Sequence, residues 1–263
     1  MGSSHPVAGG AETDHLPRSP EQQCRFSDRR FNWLIPGEVM VGQFPGGYAS
    51  APPHEARGDR RGLASLGFEC QHGDQDPGGT LEAMGRLLFE AKCSTFVSLQ
   101  AETPAPGAGD GWRTSGDMVD YAPAAHWLIR QRAAPPDEYD PRQSPKEKGP
   151  LRPHDLVFLH FPITDMTAPS ATLLTKIVDE LERRVKDPRR KGAVFIHCWG
   201  GRGRAGTIAA ALLGRLYPEM TADAVLAYVQ AAFSSRGASG RSPETRDQIR
   251  AVRRFLDARG SRR

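Results

Sequence analysis

One stretch limits what this chain can become more than any other. Val194, Phe195 and Ile196 form an apolar run, His197, Cys198 and Trp199 follow, and then come Gly200, Gly201, Arg202, Gly203, Arg204, Ala205, Gly206 and Thr207. The order reads as a buried strand, a glycine-rich loop and a helix start. Gly200, Gly201, Gly203 and Gly206 let the backbone take conformations that side chains would block. A loop of that kind can aim successive N–H groups inward and build an anion-binding nest. The segment after it, residues 207–217, is rich in Ala and Leu and reads as a helix whose N-terminus points partial positive charge at the same spot. Arg204 adds a planar fork suited to phosphate oxygens. Cys198 lies beside that anion site, where a thiolate is stabilised as well. A thiolate at the floor of a phosphate cradle is a nucleophile aimed at phosphorus.

A second motif shares these letters. Residues 201–206 fit G-x-G-x-x-G, and Glu219 and Asp223 stand near the spacing of a ribose-binding acid. Four residues, His197 to Gly200, separate Ile196 from the first glycine of that match. No strand pattern precedes either acid, and only helical patterns follow, so a doubly wound sheet has no strands left to build with. The dinucleotide reading is set aside.

His197-Cys198-x-x-Gly201-x-x-Arg204 resembles the signature loop of the cysteine-dependent protein tyrosine and dual-specificity phosphatases. The resemblance implies that Cys198 attacks phosphorus. It also implies that Arg204, with the loop from Trp199 through Gly200, Gly201, Arg202 and Gly203, binds the substrate phosphate, and that His197 orients the loop and tunes the thiol. No cofactor and no metal are implied. Phe161-Pro162-Ile163-x-Asp165 resembles the family's general-acid loop. Such an acid is needed because a leaving alkoxide or phenoxide is poor unless a carboxyl group protonates it; Asp155 is the weaker substitute. Ser242-Pro243-Glu244-Thr245-x-x-Gln248 resembles a loop in which a glutamine orients the attacking water, which makes Gln248 a candidate for the second step. One position departs from the pattern. The family places Ser or Thr after the arginine, and this chain has Ala205. Losing that hydroxyl implies slower breakdown of a phosphocysteine intermediate.

The expected substrate is a phosphorylated protein, handled by an enzyme of the dual-specificity type. Arg202, a second cation within the loop, keeps a phosphoinositide or an RNA 5′-phosphate open as alternatives. A catalytically weak phosphate-binding module is the rival from outside enzymology. A redox disulfide from Cys198 to Cys93 or Cys70 is a side hypothesis.

The chain has 263 residues, with 28 glycines, 22 prolines and 38% hydrophobic residues. That suits one domain with long irregular segments better than two packed domains. Residues 1–25 read as a disordered extension. Residues 26–260 read as a phosphatase-like domain with irregular insertions near 49–79 and 101–153. Strands are expected around residues 39–41, 95–99 and 156–163, and helices over 81–92, 121–132, 170–185, 221–233 and 243–258, with Ser242 as N-cap and Pro243 at the first helical position. Trp33 and Phe44 are read as core. The expected fold is α/β, a mainly parallel central sheet flanked by helices.

Net charge is +4, with arginines gathered near the C-terminus, which reads as a solvated helix face. No RNA-recognition signature accompanies it, so nucleic acid is not the expected partner. Four cysteines and no signal peptide suggest a reducing, cytoplasmic setting. No apolar run approaches the ~20 residues of a membrane span. Cys70 and His72 lack a second pair at ligand spacing, so no metal is expected there. Oligomeric state is not legible.

Overall fold

The computed structural model describes residues 20–46, 79–108, 118, 120–132 and 149–260. A short helix α1 (Pro20–Gln23) leads to strands β1 (Phe31–Ile35) and β2 (Val39–Gly42). Helix α2 (Thr80–Gly85) continues as a π-helical turn (Arg86–Glu90) into β3 (Cys93–Gln100). Then come α3 (Ala122–Arg132), a 3₁₀ turn (Pro153–Asp155), β4 (Val157–Ile163), α4 (Ala171–Lys186), β5 (Ala193–His197), α5 (Gly203–Leu216), α6 (Ala222–Ser234) and α7 (Arg246–Gly260).

The five strands form one sheet in the order β1-β2-β5-β3-β4. Only the β1–β2 pair is antiparallel; β2–β5, β5–β3 and β3–β4 are all parallel. The α/β architecture with a mainly parallel sheet is therefore as read from the sequence. A sheet covered on both faces needs continuous apolar strands rather than alternating ones. β5 meets that need, since every residue from Ala193 to His197 is buried. Its alternating side chains still sort by face. Val194 and Ile196 join a core with Val97, Leu99, Val39 and helices α4 to α7. Ala193 and Phe195 join the opposite core with Phe96, Met40, Phe31 and the helices α2 and α3. Fully burying one such aliphatic or aromatic side chain is worth about 1.5–3 kcal/mol.

The helices follow their sequence signals. Helix α5 buries every residue from Gly203 to Gly214, Arg204 and Thr207 among them, as a central helix must. Helix α4 turns Leu174, Ile177, Val178 and Leu181 inward, and Ser170 caps it by accepting from Leu173 N at 3.2 Å. Thr221 does the same for α6 through Ala224 N.

Four expectations change. Ordered structure begins before residue 26: Cys24 is buried, its backbone oxygen accepts from Trp33 N, and its thiol meets Tyr228 Oη at 3.5 Å. The helix expected over 243–258 is present but starts three residues later, and Ser242 does not cap it. The Ser242–Pro243 peptide is cis, and α7 starts at Arg246 behind a Thr245 cap. Ser242 Oγ instead donates to Arg202 O in the signature loop. Asp155 cannot substitute for Asp165, because it precedes β4 and Asp165 follows it, at opposite ends of the strand. A Cys93–Cys198 disulfide is excluded by register. Cys93 pairs with Ala193 at the start of β5, and five further residues at about 3.3 Å each place Cys198 roughly 16 Å along, whereas a bridge needs Cα atoms within about 7 Å. Cys70 and His72 lie outside the described residues.

No helix among the described residues is long and apolar enough to cross a membrane.

Candidate active site

β5, β3 and β4 run parallel, so the segments after His197, Gln100 and Ile163 all leave the same edge of the sheet. Open α/β sheets bind ligands at that edge. The three segments carry Cys198, Glu102 and Asp165.

The signature loop is held by close backbone packing. Gly201 has φ 61°, and a Cβ there would lie 2.3 Å from Gly42 O, so neither the conformation nor the space admits a side chain. The loop runs straight into α5, whose first buried residues include Arg204. Cys198 is 3% exposed at the junction.

Arg204 is buried to 1% and still carries four hydrogen-bonded or ionic contacts. Nη1 donates to Glu102 Oε2 at 2.6 Å and to Ile163 O at 3.1 Å; Nη2 donates to Glu102 Oε1 at 2.8 Å. Asp165 Oδ1 also lies 2.9 Å from Nη2. Nε is buried without a partner. Burial opposes the charge on Arg204, yet Glu102, Cys198 and Asp165 together raise its pKa above the ordinary value. Burial also pushes Glu102 up, but Arg204 outweighs it and keeps the carboxyl below the usual range. The bidentate Glu102 contact holds the back of the guanidinium in one plane. Asp165 is different: it makes one contact and its side chain is 56% exposed.

His197 is fully buried, and its Nε2 shares a 2.7 Å hydrogen bond with Tyr121 Oη. Burial pushes its pKa down to about 3, with contributions in the same direction from Arg204 and His160, against a backbone hydrogen bond at Cys198. The imidazole is therefore neutral at ordinary pH and is braced by rings of Phe195, Tyr121 and Phe44.

Of the residues singled out in the sequence, Asp165, Arg204 and the 197–203 loop come together. Trp199 is 55% exposed on the outer side of the loop, and its backbone oxygen accepts from Phe44 N. Arg202 turns its side chain to Glu244, with which it forms an ion pair. Gln248 lies close to the loop, since a Cβ on Gly203 would be 3.0 Å from its Nε2. Both ends of that side chain are engaged: Oε1 accepts from Glu244 N and Thr245 N, and Nε2 donates to Thr167 O just past Asp165. Thr207 Oγ1 donates to Gly203 O at 2.8 Å, a turn back along α5, so it does not replace the hydroxyl missing at Ala205.

Sequence reasoning missed Glu102 and Tyr121. Glu102 had a signal, an acid just past the end of a predicted parallel strand. Tyr121 had none, because only tertiary packing brings α3 over His197.

Residues 146–216 match a family model described as polymorphic toxin system, DSP-PTPase phosphatase. That span contains Asp165, His197, Cys198 and Arg204 but not Glu102, Tyr121 or Gln248. The resemblance first seen in the signature loop is thus found over the segment from the approach to β4 through α5. No curated protein matches the chain. Among solved structures, Tk-PTP in its active form is 17% identical, covers 87% of this chain and 97% of its own, with TM-score 0.45. PTPMT1 in complex with PI(5)P is 12% identical, covering 89% and 98%, with TM-score 0.47. Kinase associated phosphatase with its catalytic cysteine replaced by serine is 14% identical, covering 85% and 88%, with TM-score 0.48.

Proposed function

We propose that this protein hydrolyses phosphomonoesters through a phosphocysteine intermediate, without a metal, and that its substrates are phosphorylated proteins. The Cys198 thiolate attacks phosphorus, and the bond from phosphorus to the leaving oxygen breaks. Asp165 gives that oxygen its proton. Loop N–H groups and Arg204 hold the three equatorial oxygens as charge develops on them. Water then attacks phosphocysteine, the Asp165 carboxylate takes its proton, and inorganic phosphate leaves as the thiolate re-forms.

The observation that carries this reading is the state of Arg204. Its guanidinium is buried and locked from behind by Glu102, while Nε has no partner and the exposed Asp165 holds Nη2 by one oxygen. An arriving phosphate dianion competes for Nη2 and engages Nε. Asp165 is the partner free to move off and meet the leaving oxygen. His197 supports the loop as a neutral group and transfers no proton. For Gln248, the engaged side chain favours bracing the acid loop over aligning water.

Two features bear on substrate. Met166 and Trp199 are the exposed large hydrophobic residues among those described, and each follows directly on a reacting group, Asp165 and Cys198. An apolar rim there suits a peptide or an aryl group better than a polyphosphorylated sugar. The cation that favoured phosphoinositides, Arg202, is paired with Glu244. The family description supports a toxin setting.

Rapid-mixing turnover of an aryl phosphate in chelator tests the reading. The expected result is a burst equal to the enzyme concentration, then slow turnover that Ala205→Ser accelerates. Cys198→Ser is expected to bind inorganic phosphate and release no product. Normal turnover by Cys198→Ser would sink the covalent mechanism, and no product from wild type would leave a phosphate-binding module.

A further inference from the structure

The turn that ends α6 sends a cation beneath the signature loop. Helix α6 closes with Ser235 N and Gly237 N returning to Ala231 O and Ser234 O, and Gly237 takes φ 75°. Arg236, between them, folds inward and is 3% exposed. Its Nη2 donates to Gly200 O at 3.0 Å and Gly201 O at 3.2 Å, and its Nη1 donates to Arg30 O at 2.8 Å. The guanidinium carbon sits 4.4 Å from the Phe233 ring centroid. Among the described residues no carboxylate pairs with it, and Nε is buried without a partner.

The two carbonyls it grips matter because of what lies on the other side of their peptides. The Gly200 oxygen belongs to the peptide whose N–H is that of Gly201, and the Gly201 oxygen to the one whose N–H is that of Arg202. In an anion nest, the N–H groups face in and the oxygens must find partners outside. Glycine peptides flip cheaply, and a flip would aim an oxygen at phosphate. Packing does not prevent this at Gly200, where a Cβ would meet nothing within 4 Å. Hydrogen bonds have to.

We propose that Arg236 is a positioning residue of the catalytic loop. It pins the Gly200 and Gly201 carbonyls outward, so that the N–H groups of Gly201 and Arg202 face phosphate. The proposal rests on the phosphatase reading above. Burial pushes the Arg236 pKa down to about 10, and the charge that opposes this is that of the Cys198 sulfur. The other groups around that sulfur are Arg204 from α5, with Glu102 and Asp165 held on it, and neutral His197 from β5. A buried guanidinium without a carboxylate is costly, and the three carbonyls, the Phe233 face and the thiolate share in offsetting that cost.

Two full-length variants test this, each checked for folding by thermal unfolding. Arg236→Gln removes the charge. It is expected to lower kcat/KM on an aryl phosphate by roughly 10- to 100-fold and to weaken the protection that inorganic phosphate gives Cys198 against iodoacetamide. Arg236→Lys keeps the charge without the fork. With it too, inorganic phosphate is expected to protect Cys198 from iodoacetamide roughly tenfold less well than in wild type, since protection reads the alignment of the loop amides. Wild-type kcat/KM and wild-type phosphate protection in both variants would overturn the proposal. If Arg236→Gln does not fold, wild-type protection in Arg236→Lys is enough to overturn the pinning role. Alkylation and protection need no turnover, so an inactive wild type would fail the phosphatase reading and leave Arg236 testable.

Discussion

At the scale of single residues, the site depends on burying polar groups that each have a defined task. His197 shows the cost in a measurable form. Its pKa falls to about 3 in the fold, against about 6.5 in an unfolded chain. Between those values the unfolded chain binds a proton that the folded chain refuses. Stability from this group is therefore complete above about pH 6.5 and declines as pH falls, by up to about 1.4 kcal/mol per unit. Urea denaturation from pH 4 to 6.5 checks it: stability should rise with pH, and His197→Gln, which can still bond Tyr121, should flatten that rise. An unchanged slope in His197→Gln would assign the acid sensitivity elsewhere. Glu102 adds to acid sensitivity in a lower window. Its folded pKa is depressed, so its contribution is present above its ordinary value and fades as pH drops through the folded one.

At the scale of elements, the start of α7 does two jobs at once. Thr245 Oγ1 accepts from Gln248 N at 3.2 Å, and Gln248 Oε1 accepts from Thr245 N at 3.0 Å. This reciprocal pair is a capping box, written in the sequence as Thr245-x-x-Gln248. The same glutamine reaches Thr167 O and so ties the acid loop to the helix end. Thr245→Ala and Gln248→Ala are each expected to cost about 1 kcal/mol in chemical denaturation. The double variant should lose less than their sum, because both break one device. Strict additivity would mean that the two side chains act apart. Only Gln248→Ala should also lower kcat, since it is Gln248 that donates to Thr167 O beside Asp165. The resemblance pointed to Gln248 for its chemistry, and the cap was expected at Ser242; the hydrogen bonds place the cap at Thr245 with Gln248 as its reciprocal partner.

At the scale of the whole molecule, one mainly parallel sheet sets β5 between β2 and β3 and brings three strand ends to a common edge. The family match covers β4 through α5, and the parts that complete the site come from outside it: Glu102 from the end of β3, Tyr121 from the edge of α3, Arg236 from the end of α6. If the toxin setting holds, induced expression of the wild-type chain arrests growth of a bacterial host, and Cys198→Ser does not. Unimpaired growth at a level where lysates show phosphatase activity would remove that setting and keep the enzyme.

Cys198, Arg204 and the glycine turn were legible as a candidate site because they lie in one short run whose spacing suits an anion cradle, and Asp165 was legible through the resemblance of its loop. A strand, a nest and a helix start need only local conformation, and the letters of residues 194–207 specify all three. The fold class was legible in the order of strand and helix patterns along the chain. Partners across the sheet were not. Glu102 stands 102 residues from Arg204, and Tyr121 stands 76 from His197; no local pattern encodes such pairs. Strand order and register decided them, and register also separated Cys93 from Cys198. Tertiary structure likewise turned Arg202 toward Glu244 and brought Arg236 under the loop, because a long cationic side chain settles where buried carbonyls and charge receive it, which its own neighbours in sequence do not reveal.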